Sequence, residues 1–203
     1  PGVGFYIPLY QREYSWDKEN IDQLMEDVCR VVDNLIIDSN EIRFMGTIIL
    51  VKENNPAQNI RPLDNRALPP RIDNVIDGQQ RISSIALLSC LLYQRLKNLK
   101  AKFKSDPLYA ALKEDVDAKL STLIEIFSVD IKRGSPARKP LVIRGSIDQW
   151  TYDGADDPNY KSDISLYLSK VIRSITENTD FPAIPSRTTR VGHNLAIMNS
   201  LLN

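Results

Sequence analysis

Apolar positions along the chain follow two rhythms. From Lys18 they recur at Ile21, Leu24, Met25, Val28, Val31, Val32 and Leu35. That spacing predicts an amphipathic helix ending near Asp38, capped by Ser15 or Asp17. A second and longer helix is expected from Gln79 to about Lys100. Its residues Ile82, Ile85, Ala86, Leu88, Leu91, Leu92 and Leu96 mark a wide buried face, broadened by Leu87, Cys90 and Leu99. Such a face places this helix at the centre of the fold. Further helices are expected from Pro107, with Asp106 as cap, to about Phe127, and from Asp163, capped by Ser162, to about Ile175. A last one begins at Gly192 and runs through Asn203. The other rhythm is extended. Residues 5–12 (FYIPLYQR) read as a strand interrupted by Pro8. Residues 43–51 (RFMGTIILV) read as a buried strand, because they are nearly all apolar and rich in β-branched side chains. Short strands are expected at residues 74–77 and 141–144.

Between these elements lie the breakers. Residues 52–71 hold Pro56, Pro62, Pro69 and Pro70, which argues for a long surface loop that is either functional or mobile. Asp153-Gly154 and Asp157-Pro158 mark turns, and Pro182 and Pro185 break the chain. The order of elements predicts an α+β fold: a small mixed sheet with packed helices over residues 1–104, then a mostly helical extension with one short strand over residues 105–203.

Composition narrows the chemistry. Of 203 residues, 26 are basic and 26 acidic, so nothing makes the whole molecule a cationic binder of nucleic acid. At 42% hydrophobic residues the chain is not disordered, and its charge-free runs are too short to span a membrane. Its one histidine, His193, excludes a His-rich metal site and is expected to be structural or exposed. Two cysteines, Cys29 and Cys90, cannot form a four-cysteine zinc site; both fall on apolar stripes and are expected to be reduced core residues, which suits the cytoplasm. The chain starts at Pro1 with no signal-peptide pattern and ends in a helical reading, so it is expected to be part of a longer protein.

The sharpest local feature is Val75-Ile76-Asp77-Gly78-Gln79-Gln80-Arg81. A strand delivers Asp77 to a glycine turn that opens a helix, and the free N–H groups and positive dipole end of a helix start attract anions. Gly78 permits close approach of a phosphate, and Arg81 adds a charged fork in the first turn. Asp77 can hold Mg²⁺ or orient a water, and Gln79 and Gln80 can position a nucleophilic water. An ordinary strand–turn–helix junction, with Arg81 paired to a surface carboxylate, fits the same residues. The second feature is residues 7–16 (IPLYQREYSW). Here Arg12 suits a second phosphate arm, and Tyr10, Tyr14 and Trp16 suit base stacking or core packing. Glu26 and Asp27 are adjacent on a helix and therefore point about 100° apart, and neither is assigned a catalytic role. Lys132, Arg133, Arg138, Lys139 and Arg144, with Arg61, Arg66 and Arg71, form either a local DNA-facing patch or solvated surface charge.

Four blocks in order make the sequence recognisable: IPLYQREYSW, QLMEDV, FMGTIIL and VIDGQQRISSIALL. Together with residues 139–168 they resemble the N-terminal domain of GmrSD-type modification-dependent restriction enzymes, shared with phage-defence proteins of the BrxU and SspE type. Ile82-Ser83-Ser84 departs from the usual Leu-Thr-Thr but keeps both hydroxyls. The resemblance implies a ParB/sulfiredoxin-like core and a Mg²⁺-dependent, GTPase-like hydrolysis of a nucleoside triphosphate. It assigns Asp77, Gln79, Gln80 and Arg81 to catalysis, and Gln11, Arg12, Gly78 and Arg81 to the nucleotide and its phosphates. It further implies DNA, modified or not, and an HNH nuclease as partners; a homo-oligomer is compatible with it. One histidine cannot supply an HNH centre, so cutting is expected elsewhere in the full protein. A module that binds DNA phosphate or a modified base without hydrolysis is the alternative. A degenerate domain that only docks partners is a third.

Overall fold

The computed structural model describes residues 2–40, 42–103, 109–131, 138–152 and 159–202. Along the chain run β1 (Val3–Ile7), α1 (Lys18–Ile37), β2 (Ile49–Lys52), α2 (Pro56–Asn59), β3 (Arg71–Asp77) and α3 (Gln79–Ala101). They are followed by α4 (Ala110–Phe127), β4 (Ser128–Asp130), β5 (Arg138–Pro140), β6 (Val142–Arg144), α5 (Asp163–Thr176) and α6 (Arg190–Leu201). The architecture is mixed α/β. Four strands form a small mixed sheet in the order β2-β3-β1-β6, and β4 and β5 pair separately. β1 runs parallel to both neighbours, with Val3 opposite Arg71 and Phe5 opposite Val142, whereas β2 is antiparallel to β3. The carboxyl ends of β1, β3 and β6 therefore open at one end of the sheet, the end where parallel sheets place their ligand crevices.

The periodicity of α1 and α3 carries through to packing. Ile21, Leu24 and Met25 of α1 meet Leu87 and Leu91 of α3, Phe127, Leu168 and Val171 of α5, and Leu195 and Met198 of α6 in one core. A second cluster joins Tyr6, Ile60, Ile72, Ile143, Trp150 and Tyr160. Residues before and after position 104 contribute to both clusters.

Several expectations change. The apolar run at residues 43–51 is not a buried strand: only its end joins β2, whose residues are all exposed. β2 lies at the sheet edge with β3 on one side alone, and an aliphatic run reads alike whether or not something covers it. The proline-rich stretch is partly packed, since it contains α2 and buries Ile60 and Ala67. Cys29 is exposed and only Cys90 is buried, where loss of solvent pushes its thiol well above the ordinary range. The Asp106 cap, the turns at Asp153-Gly154 and Asp157-Pro158, and Lys132 and Arg133 lie outside the described residues.

Candidate nucleotide site

Gly78 sits at φ 90°, the left-handed region that costs a side-chain-bearing residue roughly 1–2 kcal/mol. A Cβ there would also come within 2.9 Å of Ile48. Asp77 ends β3 exposed, and its Oδ1 accepts the Gly78 N–H at 2.8 Å. With glycine as N-cap, α3 opens without a side-chain cap, and Ile82 makes its first helical bond, to the Gly78 carbonyl. The first-turn N–H groups are left for a ligand or water. Arg81 is held by the segment that packs beside this turn. Its Nη1 donates to the Thr47 carbonyl at 2.8 Å, and its guanidinium occupies the space that a side chain at Gly46, φ 99°, would need. No carboxylate pairs with Arg81 among the described residues, which sets aside the simple surface ion pair.

The loop between β1 and α1 is fastened from four sides. Gln11 Nε2 donates to the Ile76 carbonyl at 2.7 Å, and Gln79 Nε2 to the Arg12 carbonyl at 2.8 Å. Gln80 Oε1 accepts from the backbone of Ser15 at 2.8 Å and Trp16 at 3.2 Å, while its Nε2 donates to the Glu13 carbonyl at 2.9 Å. Arg144 on β6 donates to the carbonyls of Arg12 at 3.0 Å and Gln11 at 2.7 Å. From α6, the buried Asn194 Nδ2 donates to Tyr14 Oη at 3.0 Å and to the Trp16 carbonyl at 2.8 Å. Tyr14 Oη also bonds Ser84 Oγ at 2.7 Å. Burial raises the Tyr14 phenol above its ordinary value, partly offset by the bonds from Ser84 and Asn194, so it stays a neutral hydroxyl.

This framework surrounds a cavity of about 240 Å³ at the carboxyl ends of β1 and β6. Its walls include Ile7, Val142, Ile147 and Ile164, with Glu13, Tyr14, Gln79, Gln80, Ser83 and Arg144. Lys161 and residues 162–165, the start of α5, complete it. α5 also begins without a side-chain cap, because Ser162 Oγ turns to Asp148 and Ser165. Asp148 is fully buried and further accepts the N–H groups of Arg144, Lys161 and Ser162 and the Ser165 hydroxyl. It thereby locks β6 to the start of α5. By contrast α1 and α6 carry side-chain caps, from Asp17 and Thr189.

The structure thus brings Gln79 and Gln80 to the cavity. Asp77, Gly78 and Arg81 lie outside its lining, as do Gln11 and Arg12. Three of the four bonding positions of the Gln80 amide are already taken by the loop, so Gln80 is a clamp and not a free water-orienting group. Tyr10 is 73% exposed, Tyr14 and Trp16 pack against the helical core, and only Tyr14 reaches the cavity. Of the suggested DNA-facing cations, Arg61, Arg66 and Arg71 are exposed and others are engaged within the fold. Lys139 is buried, Arg144 holds backbone carbonyls, and Arg138 bonds Ser128 Oγ at 3.2 Å; Arg133 lies outside the described residues. Arg66 and Arg71 pair with Asp64 and Asp73, and Arg61 donates to the carbonyls of Ala57 and Ile60. Asp27 pairs with Arg43 at 2.6 Å, and Glu26 faces solvent. Sequence reasoning gave Asp148 and Asn194 no role, since Ser, Asp and Asn carry no periodic signal of their own.

Among the described residues no cluster of three or more His, Cys, Asp or Glu side chains is suited to a metal ion, and no helix is long and apolar enough to cross a membrane. Asp77, with one carboxylate oxygen free of Gly78, suits the way Mg²⁺ is held by one or two carboxylates, water and substrate phosphates. No curated protein matches the chain. The family model described as GmrSD restriction endonuclease, N-terminal domain, matches residues 2–190. That match spans nearly the whole sheet and helical core, including the Asp77–Arg81 turn and the loop it clamps, and the chain belongs to the GmrSD N-terminal domain family of restriction endonucleases.

Proposed function

We propose that this domain binds a nucleoside triphosphate with Mg²⁺ and hydrolyses it, and that the nucleotide state gates an HNH nuclease part of the restriction enzyme on DNA in the cytoplasm. The observation that carries this reading is the uncapped start of α3, with its free first-turn N–H groups, at the edge of a cavity at the carboxyl ends of parallel strands. The parallel β1–β3 pair leading into the Gly78 turn is in keeping with a ParB/sulfiredoxin-like core. In this reading the phosphates lie at the first turn of α3. Arg12, exposed beside it in the clamped loop, and Arg81, once released from Thr47, reach their oxygens. Asp77 holds the Mg²⁺, which supplies charge neutralisation on the phosphates when bound. Gln79 holds the Arg12 carbonyl and with it the second phosphate arm, and Gln80 keeps the loop in place. A homo-oligomer belongs to this reading; the exposed Ile36, Ile37, Ile42 and Phe44 supply apolar surface for it.

The test is hydrolysis by the purified chain. Arg81→Ala is expected to lower turnover at least a hundredfold while melting as the wild type does, the scale on which a charge-stabilising donor acts. Unchanged turnover removes the assignment. If no hydrolysis occurs and the chain instead binds DNA with a steep salt dependence, the domain is a DNA-binding module.

A further inference from the structure

One turn beyond Gln79 on the same face of α3 lies Ser83. It is 2% exposed and lines the cavity, yet among the described residues its hydroxyl has no hydrogen-bond partner. Its neighbour Ser84 is different, being bonded to Tyr14 Oη. Gln79 is 6% exposed and spends its Nε2 on the Arg12 carbonyl, which leaves Oε1 open to the same cavity. Buried polar groups are mostly paired in proteins; among the described residues Arg144 Nε, Tyr167 Oη and Asn194 Oδ1 also lack partners, but Ser83 and Gln79 are two neighbours on one helix face lining one space, which marks a place where a ligand supplies the partner. The charges around that space decide which part of a ligand enters. Glu13 and Asp163 balance Arg144 and Lys161 in the lining, so the cavity has no excess positive charge to draw in a triphosphate. The apolar walls suit a neutral group. At about 240 Å³ the cavity is smaller than the roughly 300–1,000 Å³ that encloses a drug-sized ligand, so a whole nucleoside triphosphate does not fit inside.

We propose that the cavity takes the nucleoside end of the nucleotide, with Ser83 Oγ and Gln79 Oε1 as the pair that hydrogen-bonds it, while the phosphates stay outside at the first turn of α3. This rests on the nucleotide reading above and assigns the two ends of the ligand to separate places. Ser83 is a binding residue here, not a participant in phosphate chemistry.

The experiment is calorimetric titration of the purified chain with Mg²⁺ and, separately, each of the four ribonucleoside triphosphates and inorganic triphosphate. The wild type is expected to bind at least one nucleotide more tightly than inorganic triphosphate. Ser83→Ala is expected to weaken that nucleotide about tenfold, the loss of one hydrogen bond, and to leave inorganic triphosphate unchanged. Ser83→Thr, which keeps the hydroxyl, is expected to retain most of the nucleotide affinity. Equal wild-type affinity for inorganic triphosphate and every nucleotide overturns the proposal without any variant. So does a Ser83→Ala chain that binds the nucleotide as the wild type does, or that loses nucleotide and inorganic triphosphate alike while melting normally. A wild type that binds neither ligand overturns the nucleotide reading itself, and this inference with it.

Discussion

Gln80 shows how a residue suited to catalysis by type is committed to structure by position. Its amide bridges the backbone of Glu13, Ser15 and Trp16 and is itself buried. Gln80→Ala leaves those backbone groups without partners, and each such orphan costs about 1–3 kcal/mol where water does not replace the bond. The variant is expected to unfold at lower urea concentration, with a loss of at least about 1 kcal/mol and an unchanged denaturant slope. A midpoint equal to that of the wild type would show that the clamp contributes nothing. Glycine acts at the same scale. Among the described residues Gly78 and Gly46 are the two glycines at positive φ, and they admit Ile48 and the Arg81 guanidinium respectively. The Asp-Gly junction was legible in the sequence as a turn. The partner of Arg81 was not, because Thr47 lies 34 positions away.

At the scale of elements, Glu53 ties the end of β2 to its surroundings. It accepts from the Asn55 backbone at 2.7 Å, from Asn59 at 2.9 Å and, across to β3, from Asn74 at 2.8 Å. Burial pushes its carboxyl up, but these hydrogen bonds outweigh that and hold it below the ordinary carboxylate value. A depressed folded value means that the contribution is present above the ordinary value, near pH 4.5, and is lost as pH falls through the folded one. Melting temperatures taken from neutral to acid pH are expected to fall less steeply in Glu53→Gln than in the wild type across that window. Parallel profiles would sink this assignment. Helix positions were legible because they depend on local spacing and caps: Asp17 and Ser162 stand at the N-caps of α1 and α5 as expected. The role of Ser162 was not legible, since its hydroxyl serves Asp148 and leaves the helix start open.

At the scale of the molecule, the first and last helical segments meet at the site. Asn194 on α6 holds Tyr14 and Trp16 across 180 and 178 positions of sequence. The loop that carries Arg12 and Glu13 is thus fixed to the C-terminal helix as well as to α3 and β6. Asn194→Ala removes both bonds and leaves the Trp16 carbonyl unpaired. Hydrogen exchange at the Ser15 and Trp16 amides is expected to accelerate in this variant, while exchange in the middle of α3 stays at the wild-type rate. Wild-type protection at both loop amides would exclude Asn194 as a support of the loop. The molecule's zero net charge takes on a definite form here. The cavity lining balances Glu13 and Asp163 against Arg144 and Lys161, and Arg66 and Arg71 pair with Asp64 and Asp73.

By itself the sequence determined whatever is governed by neighbours within a helical turn or a tight turn. That includes the extents of α1, α3 and α5, the Asp77-Gly78 junction, the buried face of α3 and the family resemblance carried by four ordered blocks. Only the tertiary structure decided which polar groups remain free. Gln79 and Gln80 are chemically identical and adjacent, yet one keeps its carbonyl oxygen and the other gives both ends of its amide to the loop. Ser83 and Ser84 divide in the same way. Successive residues on a helix point about 100° apart, and what each meets is set by loops and strands distant in sequence. Availability for a ligand is therefore a property of the packed molecule and not of residue type.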